Sequence, residues 1–594
     1  MRLRLIRLRF RRELRKSQKQ VEGLGTQTER AIEEHLFKRF ARLGVVRRFV
    51  GGWLLLLLIL ITGLVAQNIL LSGYFQTLRP VPGGIYKEGV IGTFTTANPL
   101  YATSNADSTV ARLVFASLFT YDDSDRLVGD LASDYSVDAR GTTYTVHLKP
   151  RLTWQDGRPL TSADVLFTYQ TIQNPDAQSP LQSSWQGVDV SAPDARTVVF
   201  KLSNPLASFA YNLTNGIVPK HLLADIPASD LRAADFNTVH PVGAGPFAWQ
   251  TIQVTGKDPS DAEEQIALVP FERYQAGAPK LQEFIVHAYA KQSQLAEAFT
   301  AKQVTAAEGL DEVPPHSRDT SSVQVHSPLL HAANMVFFKT SSGVLADGQV
   351  RRALVQAANV PKIIHHLSYP TRQVRTPLLI GQLGYDPSLA QPGFDLRAAR
   401  QALDTAGWTV DKDGYRAKGG QPLTFTLSAA DTPEYRSVTR QLQEQWRALG
   451  VRLNLRLLAT ADFQTTLISH GYDAVLYGIS IGQDPDVFVY WDSSQADVRS
   501  ANRLNLSEYK NTTADAALEA GRTRLNPALR VIKYRPFLEA WQQDAPALGL
   551  YQPRLLYLTN GAVAGLSDNA LNTPTDRFID VQNWQIRQAK VTNQ

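Results

Sequence analysis

The stretch Leu152-Thr-Trp-Gln-Asp-Gly-Arg-Pro-Leu-Thr-Ser-Ala-Asp-Val165 packs a strand exit, a turn and a helix start into one short passage. Trp154-Gln-Asp-Gly157 reads as the end of a strand, because Asp-Gly supplies a tight turn. Thr161 to Asp164 then open a helix. Their oxygens cap its first amides, and the acid faces the positive end of its dipole. Val165, Leu166 and Tyr169 continue the helix with apolar side chains. In this reading Trp154 and Asp156 serve the fold and do not touch a ligand.

The same alternation extends in both directions. TYTVHL at 143–148, TVVFKL at 197–202, LTFTL at 423–427 and VRLNLRL at 451–457 repeat with period two and read as strands. Apolar runs at 284–286, 335–338 and 474–477 read as buried strands. Helices fall between them. Asp395 precedes Leu396, Ala399 and Leu403, and Gly407 ends that segment. A helix over 433–449 carries Val438, Leu442, Gln445 and Trp446 and stops at Gly450. Strand and helix alternate, which predicts an α/β protein with mainly parallel sheets. The polar stretch 250–265 reads as a surface hairpin.

The chain has 594 residues and a net charge of +6, with 43% hydrophobic and 20% charged residues, so most of it is expected to be globular. The charge is not spread evenly. Residues 1–50 hold 15 Lys and Arg against 5 acids, a balance of +10, which leaves −4 for everything after them. Residues 53–71 follow, opening on Trp53 and closing on Leu71, with no charge from Val50 to Phe75. Nineteen helical residues span roughly 28 Å, enough for a hydrocarbon core. Arg47 and Arg48 flank its N-terminal side, so the positive-inside rule places the tail in the cytoplasm and the rest outside. A cleaved signal peptide is the competing reading, but a 50-residue basic leader is too long for one. In the tail, Ile32, Leu36, Phe40 and Leu43 recur at helical spacing among basic residues. They read either as an amphipathic helix on the inner leaflet or as a solvated helix. The mildly acidic remainder argues against nucleic acid as a partner.

Catalytic machinery is not legible. There is no Gly-x-Ser-x-Gly elbow and no His-Glu-x-x-His. Neighbouring positions on a helix point apart, so His365 and His366 make a poor metal pair. Gly243-Ala-Gly245-Pro246 lacks the third glycine of a nucleotide loop and reads as a tight turn. The absence of cysteine excludes disulfides, thiolate metal sites and a lipid-modified cysteine anchor. No enzyme, cofactor or metal site is expected, and a binding protein is favoured.

Leu131-Ala-Ser-Asp-Tyr135, Gly141-Thr-Thr-Tyr-Thr-Val-His-Leu-Lys149 and the opening stretch form one continuous pattern. It resembles the signature of the family 5 extracellular solute-binding proteins, the peptide, oligopeptide and nickel class. Asn98-Pro-Leu100, Pro241-Val-Gly-Ala-Gly-Pro-Phe247, Val350-Arg-Arg-Ala-Leu354 and residues 399–408 follow in family order. The likeness covers roughly residues 84–590. It implies an α/β, periplasmic-binding-protein-like fold with two main lobes and an inserted smaller one, preceded here by one transmembrane helix. Lobe I would comprise 84–118, 240–338 and 546–594, lobe II 119–239 and lobe III 339–545, after a basic tail at 1–50 and an anchor at 51–72. The implied function is capture of a peptide in the cleft between lobes and its delivery to an ABC permease. A tethered sensor that reuses the fold, or a binder of a nickel complex, haem or sugar, is the alternative.

The stretch Tyr477-Gly-Ile-Ser-Ile-Gly-Gln-Asp-Pro-Asp486 resembles the family's ligand loop. Gly478 and Asp484-Pro485-Asp486 match it. The family's first aspartate, which anchors a peptide's amino terminus, is replaced by Ile481 or Gly482. The region where dipeptide binders carry a carboxylate-pairing arginine reads Ser428-Ala-Ala-Asp-Thr-Pro-Glu-Tyr435 and has none. The expected ligand-binding residues are Tyr477, Gly478, Ser480, Gln483, Asp484, Tyr490 and Trp491, with Asp484 as the substitute amine anchor. The competing reading is that Asp484 and Asp486 cap the following turn.

Overall fold

The computed structural model describes residues 47–256, 263–318, 320–367, 369–497, 499–500 and 503–592. The helix read in residues 32–43 lies outside them. The chain divides into two compact units, residues 1–79 with 588–594, and Pro80–Arg587. In the first, a helix covers Arg47–Phe75. Within it Phe49–Ile69 is long and apolar enough to cross a membrane, and none of that window is buried in protein. The strand Gln76–Val81 pairs with Arg587–Thr592.

In the second unit the opening stretch folds as its residues dictate. Thr143–Leu148 and Thr197–Leu202 are central strands of a four-stranded sheet, flanked by Ala132–Val137 and Val188–Asp194. Tyr144, Val146, Val198 and Phe200 point inward and are at most 1% exposed. Gly157 turns the chain at φ +90°. Its N–H donates to the Trp154 carbonyl at 2.9 Å. The Asp164 carboxylate caps the Thr161 N–H at 2.9 Å, and helix Ser162–Gln173 lays Val165, Tyr169 and Ile172 on the sheet. Trp154 is fully buried, and Asp156 accepts from the Arg158 N–H and contacts His221, so both serve the fold.

The return segment docks onto this passage through Gln155. Its side chain accepts from the Gly243 N–H at 2.8 Å and donates to the carbonyls of Val114 and Phe247. Backbones approach closely here. A Cβ on Gly243 would stand 1.9 Å from the Val114 carbonyl oxygen. The glycines of Gly243-Ala-Gly245 are thus packing residues. Gly243→Ala is expected to destabilise this unit by about 1–3 kcal/mol or more, read as a lowered denaturation midpoint. An unchanged midpoint would refute the close-approach account.

Two larger sheets dominate the rest of this unit, beside a small three-stranded and a small two-stranded one. The seven-stranded one runs Val323–His326, Tyr557–Asn560, Ala306–Glu308, Ile85–Ile91, Glu283–Tyr289, Glu263–Pro270, Phe247–Thr255. Its last two strands are the hairpin expected at 250–265. The five-stranded one runs Arg452–Leu458, Thr424–Ala430, Ala474–Ser480, Ala332–Phe338, Ala547–Tyr551. The expectation of mainly parallel sheets is corrected here: both are mixed, and the four-stranded sheet is wholly antiparallel. The cause is the chain path. Strands that return from one sheet to the other, such as Ala332–Phe338 and Tyr557–Asn560, enter between parallel strands running the opposite way.

Two crossings join these sheets, residues 327–331 and 552–556. They pair with each other, Leu330 N to Pro553 O and Leu555 N to Pro328 O, both at 2.9 Å. Helix Pro433–Leu449 has Thr432 as its N-cap and Gly450, at φ +94°, as its C-cap. Leu396–Thr405 is capped by Asp395. The parallel strands Thr424–Ala430, Arg452–Leu458 and Ala474–Ser480 all end at one edge of the five-stranded sheet, where α/β proteins place ligands.

Candidate functional site

The loop that leaves Ala474–Ser480 at this edge carries most of the residues expected to meet a ligand. Gly478 faces Asn334, whose Oδ1 would lie 2.7 Å from an added Cβ, so a side chain there would force Asn334 to shift. Tyr435 donates to that same oxygen at 3.0 Å. Tyr477 is half-buried, with Phe463 beside its ring. Ser480 is exposed, and its carbonyl accepts from the Tyr490 hydroxyl at 2.5 Å. Burial pushes the Tyr490 phenol up to about 12, helped by Tyr477. Gln483 is half-buried. The amides of Ile481 and Gly482 donate to the His331 carbonyl, both at 2.9 Å, which ties the loop to the first crossing.

Two expected residues are placed otherwise. Trp491 does not line a cleft. It is fully buried, its ring lying 5.7 Å from Phe337 and 5.9 Å from Trp541. Phe488–Trp491 is a single helical turn, and neighbours on a turn point apart, so Tyr490 reaches Ser480 while Trp491 enters the core. Asp484 is not a free carboxylate. Arg530 donates to both its oxygens at 2.7 Å, and the two side chains are only 7% and 9% exposed. Asp484 also accepts from the Asp486 N–H at 3.0 Å, so the turn-capping reading holds beside the ion pair. Asp486 accepts from Ser208 at 3.0 Å and pairs with Arg522 at 3.2 Å. Ser208 follows the four-stranded sheet, and the Ala207 N–H donates to the Arg522 carbonyl nearby.

Within electrostatic reach of the Asp484–Arg530 pair stands an aromatic group. Tyr121 and Tyr211 stack with centroids 6.4 Å apart. Burial raises the phenol of Tyr211, and Asp484 raises it further while Arg530 opposes. Tyr121 also lines a cavity of about 430 Å³, together with Arg112, Phe115, Thr120, Asn572 and Asp576. Burial holds the Asp576 carboxyl above the usual range, while Arg112 and the Thr573 N–H favour its charge. Asn572 Oδ1 meets His331 Nδ1 at 3.0 Å, and His331 Nε2 lies 3.5 Å from Asp125.

A second constellation at the same sheet edge gave no signal in the sequence. Glu434, in the first turn of Pro433–Leu449, accepts from Tyr551 at 2.7 Å and Tyr369 at 3.1 Å. Arg554, on the second crossing, stacks 4.1 Å over the Tyr369 ring and donates to Ser327 on the first at 2.9 Å. It braces both crossings against the five-stranded sheet. Arg530 was equally silent, being 46 positions from Asp484 along the chain. Among the described residues, no group of three His, Cys, Asp or Glu could hold a metal ion.

What the arrangement offers is a strand-end loop and, near Tyr121, a cavity that also presents Arg112, Asn215 and Asn572. Residues 126–500 match the model of the bacterial extracellular solute-binding proteins, family 5. The chain belongs to that family. It is a family of binding proteins, not of enzymes. A putative ABC transporter peptide-binding protein of Brucella ovis is 26% identical over 460 residues, 76% of this chain and 83% of its own. Among solved structures, the oligopeptide-binding protein AppA from Bacillus subtilis, in complex with a nonapeptide, superimposes with TM-score 0.68 at 22% identity, covering 86% of this chain and all of that one. NikZ from Campylobacter jejuni, in complex with Ni(L-His), gives TM-score 0.70 at 22% identity, covering 84% and 99%.

Proposed function

We propose that this family 5 protein is a membrane-tethered extracellular solute-binding protein that captures peptides and delivers them to an ABC importer. In this reading the seven-stranded sheet heads lobe I, the four-stranded sheet heads the inserted lobe II, and the five-stranded sheet heads lobe III, which moves Ala332–Phe338 and Ala547–Tyr551 from lobe I, where the sequence bounds put them, to lobe III. The paired crossings 327–331 and 552–556 are the hinge. Ligand occupies the space among Tyr121, the Asp576 segment and the loop 477–490, with Tyr477, Ser480, Gln483 and Tyr490 as lobe III contacts. Closure over ligand is the state a permease reads, because ligand shifts the population toward the closed form.

The observation that carries this reading is the edge of the five-stranded sheet, where three parallel strands end and the loop 477–490 begins. The curated relatives named for peptide binding supply the ligand class. The test is mass spectrometry of what co-purifies with the full-length chain in detergent. Retained peptides that raise the thermal midpoint support it. If no peptide is retained and none added back raises the midpoint, the peptide assignment fails.

The tether rests on Phe49–Ile69, whose apolar side chains have no protein cover, and on the basic residues before it. Deleting residues 49–69 is expected to move the protein from the membrane to the soluble fraction with its second unit still folded. A variant that stays in the membrane fraction after a carbonate wash would refute the anchor.

A further inference from the structure

His331 stands where the proposed lobes meet, and its carbonyl and its ring are held by different ones. The carbonyl accepts from the Ile481 and Gly482 amides, both at 2.9 Å, in the loop that leaves the five-stranded sheet. The imidazole is held elsewhere. Nδ1 meets Asn572 Oδ1 at 3.0 Å, just before Pro574–Phe578, and Nε2 lies 3.5 Å from Asp125 Oδ2. Asp125 sits at the tip of the hairpin formed by Phe119–Tyr121 and Leu127–Gly129, in the inserted segment, at φ +57°. Bending at the crossings 327–331 and 552–556 would separate the partners of the carbonyl from those of the imidazole.

Charge makes the imidazole contact depend on a proton. The Asp125 side chain is 19% exposed and that of His331 14%, and among the described residues no other side chain pairs with Asp125. The other charges around this junction are matched. Asp122 accepts from Arg126 at 2.7 Å, Asp484 is closed on Arg530, and Arg112 favours the charge of Asp576 and Asp130. Arg554 stacks on Tyr369. Burial raises the Asp125 carboxyl, with His331 opposing the rise and Asp576 and Asp122 adding to it. A neutral imidazole has one N–H for the two facing oxygens, and an imidazolium has two. A carboxylate this close favours the charged ring.

We infer that His331 is a proton-operated clasp at the hinge: its imidazolium holds Asp125 and Asn572 in the closed arrangement, so that acid favours closure and loss of the proton favours opening. The inference rests on the reading of 327–331 and 552–556 as a hinge and adds a regulator to it. The arrangement described is a closed one, since Ser208 of the inserted segment donates to Asp486 at the end of the lobe III loop at 3.0 Å. Histidine is the side chain that changes charge between about pH 5 and 8, so the clasp works in that range. A contact made by the charged ring and broken on opening means that closure takes up protons, and that ligand binds more tightly as pH falls.

The chain has no cysteine, so two introduced ones can be labelled selectively. Glu297→Cys, on helix Gln292–Thr300, and Lys412→Cys, between Thr409–Val410 and Arg416–Lys418, are both exposed and carry nitroxides in the full-length chain in lipid nanodiscs. Pulsed electron spin resonance reads the distance between them without added ligand. The ratio of short to long distances is expected to rise about threefold or more from about pH 8 to about pH 5.5, and His331→Gln and Asp125→Asn should each remove that rise. Asparagine adopts the left-handed backbone readily, so Asp125→Asn takes the charge without straining the turn and keeps the test decisive if His331→Gln misfolds. A ratio unmoved by pH in the wild type, or a rise that survives in either folded variant, overturns the inference. If the ratio moves with the co-purified peptide but not with pH, the clasp alone fails and the hinge and peptide readings stand. One distance at every pH, with and without that peptide, overturns the hinge as well.

Discussion

Arg577→Met is expected to destabilise the second unit by about 3–5 kcal/mol at neutral pH, because it leaves buried carboxylates without their counter-charge. Arg577 donates to Glu88 Oε1 from Nε at 3.0 Å and Nη2 at 2.8 Å, and the two side chains are 2% and 0% exposed. Tyr557 donates to the other oxygen at 2.6 Å, and Tyr86 meets Tyr557 at 2.5 Å. Glu308, 3% exposed, feels the same guanidinium and accepts only long bonds from Asn105, at 3.4 and 3.5 Å. Two carboxylates thus share one cation.

Burial raises the carboxyls of both Glu88 and Glu308 above their ordinary value of 4.5, with Arg577 opposing the rise in each. An acid whose folded pKa is raised favours folding in its protonated form. Its cost is absent below the unfolded value and accumulates as pH rises through the folded one. Removing Arg577 takes away the opposing charge, so the defect should be large at pH 7.5 and shrink toward pH 4. Thermal midpoints of wild type and variant at both pH values check this. A defect independent of pH would mean that lost packing, not stranded charge, is the cause. Glu88→Gln in the Arg577→Met background should recover part of the loss.

The parts of the fold that were legible in the sequence are those whose cause is local. Asp156-Gly157 dictates a turn, Thr161 and Asp164 dictate a helix start, and the alternation of 143–148 dictates which side chains face inward. Each signal spans a few residues, and each is realised as read. Strand direction within the sheets was not legible in the same way. Ala332–Phe338 lies between Ala474–Ser480 and Ala547–Tyr551, and nothing local to any of these announces its neighbours. The long apolar helix was legible because an uninterrupted apolar run is itself the signal.

The site divides along the same line. Gly478, the capping role of Asp484 and the position of the loop at a strand end follow from short-range pattern. Trp491 was misplaced because Tyr490-Trp491 offers two large aromatics side by side, and one turn of helix sends them opposite ways. Composition does not say which one goes inward. Arg530, Arg112 and Asn572 come from three distant segments, on helices Pro527–Asp544 and Asn105–Val114 and just before Pro574–Phe578. Charge pairing across such separations is a tertiary fact, and a single sequence carries no trace of it.

Arg530→Met is the second large expected effect, about 3–5 kcal/mol lost from this unit, with Asp484→Asn costing a similar amount in the opposite sense of charge. The pair is bidentate and nearly dry, so each single variant strands a buried charge, while the double variant strands none. The double variant should therefore lose much less than the sum, with a coupling of at least about 1–3 kcal/mol by thermal or denaturant midpoint. Additive losses would show that the two groups act independently and that the ion pair is not what orders the loop 480–486. Ligand binding gives the pair a second consequence. In Arg530→Met, Asp484 faces Tyr121 and Tyr211 without its resident cation, and the site gains an open anionic position. Relative to wild type, that variant should shift toward peptides with a free amino terminus over their N-acetylated forms, and the double variant should not. Since Asp484→Asn removes the anion without supplying one elsewhere, only the single Arg530 variant acquires the preference, which separates a gain of ammonium recognition from general loosening of the site.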